Sequence, residues 1–139
     1  SENTKNFLLL ASSEKKIENE VKKYCEENKL FFFPLKSLGE ALFLLERWTP
    51  KLIILDDNWS EFKKIFEKIY ELQIEAKSKI FTVLLSQNIK SNDSKEAFCH
   101  SVDQIIAHKD LNNFKELIEK GKTEWLNFWK DYHATFQKP

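Results

Sequence analysis

Pro50-Lys51-Leu52-Ile53-Ile54-Leu55-Asp56-Asp57-Asn58 is the stretch on which the fold turns. Its four consecutive branched apolar residues suit a strand buried on both faces, and they stop abruptly at two acids. Pro50 ends whatever helix precedes the strand, because the residue before a proline is pushed out of the helical region. A strand buried on both faces needs helices above and below it. Its neighbours should therefore be other short apolar runs, separated by amphipathic stretches.

That alternation runs through the chain. Phe7-Leu8-Leu9-Leu10-Ala11, Leu30-Phe31-Phe32-Phe33, Ile80 to Leu85 and Gln104-Ile105-Ile106-Ala107 bring the strands to five. Pro34 cannot donate a ladder hydrogen bond, so the second strand ends there or lies at a sheet edge. Ile17, Val21, Tyr24 and Cys25 recur at helical spacing and predict a helix over Ser13 to Asn28, with Ser12 or Ser13 as its cap. Ser37-Leu38-Gly39-Glu40 and Asp93-Ser94-Lys95-Glu96 read as capping boxes that open two further helices. The first of these has the stripe Leu38, Ala41, Leu42, Leu45 and Trp48; the second is short and carries Ala97 and Phe98. Ser60 is expected to cap a helix with Phe62, Ile65, Phe66, Ile69 and Leu72 inward. Phe114, Leu117, Ile118, Gly121, Trp125 and Phe128 keep helical spacing through a last helix that runs as far as Tyr132.

At 139 residues the chain is long enough for one sizeable core, and its 42% hydrophobic and 32% charged content is that of an ordinary soluble domain. Lysine plus arginine and aspartate plus glutamate each number 22, so no overall field draws the chain to nucleic acid or membrane. The apolar runs are far too short to span a bilayer. The chain shows no signal peptide, so a cytoplasmic location is expected, with Cys25 and Cys99 reduced and buried as small hydrophobes. The sequons at Asn58 and Asn92 then carry no meaning. Gly39 and Gly121 are the only glycines, which excludes a P-loop and a dinucleotide fingerprint, and no nucleophile elbow is present. His100, His108 and His133 lack metal-ligand spacing and are read as surface or core residues.

In a doubly wound sheet, ligands bind beyond the carboxyl ends of the strands. Ser12 and Ser13 follow the first strand, Asp56 and Asp57 the third, Ser86 the fourth and Lys109 the fifth. This arrangement, over roughly residues 5 to 120, resembles the receiver domain of bacterial response regulators. Pro50 to Asp56 is similar to that family's proline, acid, apolar run and phospho-accepting aspartate. The resemblance implies a flavodoxin-like three-layer α/β sandwich, with a five-stranded parallel sheet of order 2-1-3-4-5 and helices on both faces. It makes Asp56 the phospho-acceptor position, Ser86 the switch hydroxyl and Lys109 the lysine that pairs with the phosphoryl group.

The chain departs from the family at the positions that serve the chemistry. The acidic pair that follows the first strand and holds Mg²⁺ is replaced by Ser12 and Ser13, the proline after the lysine by Asp110, and the aromatic switch residue by Ile106. Asp56 and Asp57 alone are weak metal candidates, since phosphoryl transfer to a carboxylate needs a divalent ion held by oxygen ligands. A fixed Lys109–Asp56 ion pair with no phosphate accounts for the same residues equally well.

The expected function is that of a pseudo-receiver, a non-enzymatic and cofactor-free module that signals through protein contact. The alternative is a working phosphorelay receiver in a two-component system, phosphorylated on Asp56 by a histidine kinase with Mg²⁺. A third is a flavodoxin-like protein binding a small anion between Ser12, Ser86 and Lys109. The implied partner is a protein, either a histidine kinase or an effector domain. Residues 1–121 form the receiver-like domain, and 122–139 an aromatic-rich C-terminal helical extension or connector with Trp125, Phe128, Trp129, Tyr132 and Phe136. That extension is expected to fold back on its own domain, the other reading being a partner or dimer surface.

Overall fold

The computed structural model describes residues 6–71 and 74–136, so the Leu72 position of the third helix lies outside the described residues. Five parallel strands, β1 (Phe7–Ala11), β2 (Phe31–Pro34), β3 (Leu52–Asp56), β4 (Phe81–Ser86) and β5 (Gln104–Ala107), form one sheet in the order β2-β1-β3-β4-β5. This is the flavodoxin-like order expected from the sequence. Pro34 ends β2 at the sheet edge, where its missing N–H disrupts no ladder.

The helices are α1 (Lys15–Glu27), α2 (Leu38–Arg47), α3 (Phe62–Tyr70), α4 (Ile74–Lys77), α5 (Ser94–Cys99) and α6 (Phe114–Phe136), with a 3-10 segment at His108–Asn113. Alternate strand residues point to opposite faces and split the core in two. Leu8, Leu10, Leu52, Ile54, Val83, Leu85 and Ile106 meet Ile17 and Val21 of α1 and Phe114 and Ile118 of α6. Leu9, Ala11, Ile53, Leu55, Leu84 and Ile105 meet Ala41 of α2, Ile65 of α3 and Ala97 of α5. Truncating a central residue such as Ile54 to alanine removes packing on a face with no room to collapse, a loss of about 2–5 kcal/mol.

Local chemistry accounts for the element ends. Ser37 Oγ accepts from Glu40 N at 3.1 Å, and Asp93 Oδ1 accepts from Glu96 N at 3.0 Å, the N-cap half of each expected box; the Glu40 carboxylate accepts from Lys36 N at 2.9 Å, and Asp93 N donates to Lys90 O. Ser60 does not cap α3: Glu61 holds the N-cap position and makes no side-chain cap bond. The α1 cap also differs, because Glu14 is the N-cap residue and Ser12 accepts the Glu14 N–H from outside the helix.

Two surface features depart from expectation. Cys99 is exposed rather than buried; Cys25 is buried, and both thiols are free. The C-terminal extension packs on its own domain only in its first turn, through Trp125. Residues Phe114–Phe136 form one helix of 23 residues, about 35 Å long, with Gly121 inside it and no turn to reverse its direction. Trp125 packs against Phe81 with ring centroids 5.4 Å apart. Beyond it Trp129, Tyr132 and Phe136 stack along the helix itself, and Phe128 and Phe136 are 59% and 71% exposed.

Candidate functional site

Strand register brings the carboxyl ends of β1, β3, β4 and β5 to one edge. Ala11 pairs with Leu55, Asp56 with Leu85, and Ser86 with Ala107. The residues immediately beyond these ends therefore converge, and Asp56 lies at their centre with 0% exposure. A carboxylate buried to that degree needs donors on its oxygens, since desolvation without hydrogen bonds is costly.

Three donors meet it. Ser12 Oγ donates to Asp56 Oδ2 at 2.6 Å, the Asn58 N–H to Oδ1 at 3.1 Å, and His108 Nε2 to Oδ1 at 2.8 Å. Because both Asp56 oxygens act as acceptors, the ring proton facing them sits on Nε2. The other ring nitrogen, Nδ1, faces Glu14 Oε2 at 3.7 Å, and Glu14 Oε1 accepts from Asn58 Nδ2 at 3.3 Å. Glu14, Asn58, Asp56 and His108 thus close a ring of polar contacts around the acceptor position.

Lys109 is not in that ring. β5 ends at Ala107, and the 3-10 segment begins at His108. Successive residues of a 3-10 helix point about 120° apart, so when His108 turns inward Lys109 turns out. Lys109 is exposed and makes no hydrogen bond or ion pair among the described residues. The expected lysine–aspartate pair is replaced by a histidine–aspartate pair. His108, read from the sequence as a surface or core residue, is the site residue that reading missed; the signal available was its place directly after the strand.

Ser86 also faces elsewhere than expected. Its Oγ donates to Asp57 Oδ2 at 2.7 Å and accepts the N–H groups of Asn88 and Ile89, each at 3.1 Å. The Gln87 N–H reaches Asp57 Oδ1 at 3.3 Å. Two separate constellations result: Ser12, Asp56, His108 and Glu14 in one, and Asp57 with Ser86 in the other. Ser12, Ser86 and Lys109 do not converge on a common anion site. Ser13 is exposed. Asp110 accepts from Ser91 Oγ at 2.6 Å, and the same Oγ accepts the Ala107 N–H, which ties the end of β5 to the preceding loop. Ile106 is fully buried on the α1 and α6 face, away from α5.

Glu14, Asp56 and His108 place a carboxylate, a carboxylate and an imidazole nitrogen within 4.8 Å of one another, the one such group among the described residues. Mg²⁺ demands an octahedron of oxygens and is held through carboxylates. Ser12 and Ser13 supply none, and an imidazole stands on the Asp56 oxygen. This donor set does not fit Mg²⁺; one imidazole with two carboxylates suits a borderline transition ion.

No protein-family model matches the chain, and no curated protein does. Solved structures do resemble it. An orphan response regulator of H. pylori has 20% identity and a TM-score of 0.59, over 82% of this chain and 93% of that one. A response regulator from Hahella chejuensis has 14% identity and a TM-score of 0.59, over 97% and 99%. A response regulator receiver protein from Burkholderia phymatum has 10% identity and a TM-score of 0.56, over 75% and 83%. With its strand order, its two helical layers and Asp56 at the carboxyl end of β3, the chain has the fold of a response regulator receiver domain.

Proposed function

We propose that this chain is a receiver-like signalling module that works by protein–protein contact, without Mg²⁺-dependent phosphorylation of Asp56 and without catalysis of its own. The observation that carries the reading is the 2.8 Å contact between His108 Nε2 and Asp56 Oδ1. A phospho-acceptor must offer a carboxylate oxygen to an incoming phosphoryl group, and a divalent ion must neutralise the charge on that group. Here Ser12, Asn58 and His108 engage both oxygens of a fully buried carboxylate, and an incoming ion or phosphoryl group would have to displace one of them.

Contact with an effector or kinase calls for an exposed surface with aromatic anchors. The distal turns of α6 supply one in Phe128 and Phe136, which are exposed past Trp125 and its contact with Phe81. The same helix could serve a partner protein or a second copy of the chain.

The test is to offer a small-molecule phosphodonor with Mg²⁺ and measure intact mass. The unmodified mass is expected. A phosphoryl adduct on the wild-type chain that disappears in Asp56→Ala would overturn the proposal and establish a working phosphorelay receiver.

A further inference from the structure

His108 meets a carboxylate at each ring nitrogen. Nε2 donates to Asp56 Oδ1 at 2.8 Å, and that proton fixes the tautomer, so in the neutral ring Nδ1 presents a lone pair. Nδ1 faces Glu14 Oε2 across 3.7 Å. That gap is too long for a hydrogen bond, which closes at about 2.7–3.2 Å. It is close to the spacing of two ligands on one tetrahedral ion, roughly 3.3–3.6 Å for bonds of about 2.0–2.2 Å. An imidazole nitrogen beside a carboxylate oxygen suits a borderline divalent ion such as Zn²⁺ rather than Mg²⁺.

Both side chains are held from behind and open in front. The Asp56 contact locks the imidazole, in the carboxylate–histidine–metal arrangement that orients the ring and raises its basicity. Glu14 Oε1 accepts from Asn58 Nδ2 at 3.3 Å, and the Glu14 N–H donates to Ser12 Oγ at 3.1 Å, the same hydroxyl that bonds Asp56. The His108 and Glu14 side chains are 19% and 40% exposed, so an ion reaches them from solvent while Asp56 stays buried. His100 and Glu96 form a similar pair at 3.5 Å, but no acceptor among the described residues holds the other nitrogen of that ring.

We propose that His108 Nδ1 and Glu14 Oε2 bind a borderline divalent metal ion of the zinc class, with water filling the remaining places and Asp56 as the positioning residue behind the imidazole. The ion ties the start of α1 to the segment that follows β5. The proposal rests on the closed reading of Asp56, because a phosphoryl group on that carboxylate would take the oxygen that holds the ring.

Zinc titration of the ¹⁵N-labelled chain, without phosphodonor or Mg²⁺, tests it through histidine ring spectra that resolve Nδ1 from Nε2. The expected result is a saturable shift of His108 Nδ1 with the Nε2 proton retained, at lower zinc than any shift of His100 or His133. Glu14→Gln, a change at the surface, should weaken that response by at least about tenfold, and Asp56→Asn, which removes the charge behind the ring, by about 10–100-fold. A silent His108, a response led by His100 or His133, coordination through Nε2, or unchanged affinity in Glu14→Gln would overturn the proposal. Such a failure with no phosphoryl adduct leaves the reading of Asp56 standing, whereas an adduct on Asp56 in the mass experiment overturns that reading whatever zinc does.

Discussion

His108 Nε2 lies 2.8 Å from Asp56 Oδ1, and the carboxylate it meets is completely shielded from solvent. Removing the imidazole leaves a buried acceptor with one partner fewer, a loss of about 1–3 kcal/mol. His108→Ala is therefore expected to lower the midpoint of chemical denaturation. Lys109→Ala, on the exposed side of the same turn, should change stability by no more than about 0.5 kcal/mol. A loss in Lys109→Ala as large as that in His108→Ala would show that the lysine supports Asp56 as much as the histidine does.

The fold was legible because its signals are local and repeated: apolar runs of strand length, helical stripes between them, and caps at Ser37 and Asp93 that the structure reproduces. The neighbourhood of the acceptor position was legible only in part. Asp56 and Ser86 could be placed from strand ends, but the direction of each side chain depends on where a strand stops within one residue. A shift of one position at the end of β5 exchanges His108 for Lys109. Ser86 turns to Asp57 because the Asn88 and Ile89 N–H groups fix its hydroxyl, a loop geometry that spacing does not reveal. The exposure of the α6 aromatics was hidden for a similar reason, since helical spacing does not tell whether a helix outruns its domain.

Magnesium should have little effect. A ligand that binds only the folded state stabilises it by RT ln(1 + [L]/Kd), so at about 10 mM a tight Mg²⁺ site would raise the melting temperature measurably. No shift is expected, since the His108 imidazole stands on Asp56 Oδ1 and Glu14 is the one further carboxylate grouped with them among the described residues. A saturable Mg²⁺-dependent rise, lost in Asp56→Ala, would contradict the assignment of this donor set.

The two thiols should differ in reactivity. Burial pushes the Cys25 thiol up from its ordinary 9.0 to about 12, with Glu26 adding to the shift, whereas Cys99 is exposed. A disulfide reagent at about pH 8 attacks the thiolate, so it should modify one thiol in the native chain and the second only after denaturation. The folded state holds the Cys25 proton more tightly than the unfolded state. Its contribution to stability is complete below about pH 9 and is lost as the pH rises towards about 12. Rapid labelling of both thiols in the native chain would contradict the burial of α1.

Gly121 permits a close approach between α6 and β5. A Cβ there would overlap the Gln104 side chain, whose Nε2 donates to Leu117 O at 2.7 Å and Asn92 Oδ1 at 3.0 Å. Overpacking costs about 1–3 kcal/mol, and the helix propensity gained from alanine returns at most about 1 kcal/mol. Gly121→Ala should destabilise the chain in denaturant titration, and Gln104→Ala in the same background should recover part of the loss. A more stable Gly121→Ala chain would mean that Gln104 can leave its place freely.

The most direct test of the central claim uses a phosphoryl mimic. Beryllofluoride with Mg²⁺ binds an accessible receiver aspartate without covalent turnover, and ¹⁵N amide spectra report it residue by residue. The expected result is no saturable change at Ser12, Asp56, Asn58 or His108. Saturable shifts at those amides that vanish in Asp56→Ala would show that the His108–Asp56 contact yields to a phosphoryl group, and the account of a closed acceptor position would be wrong.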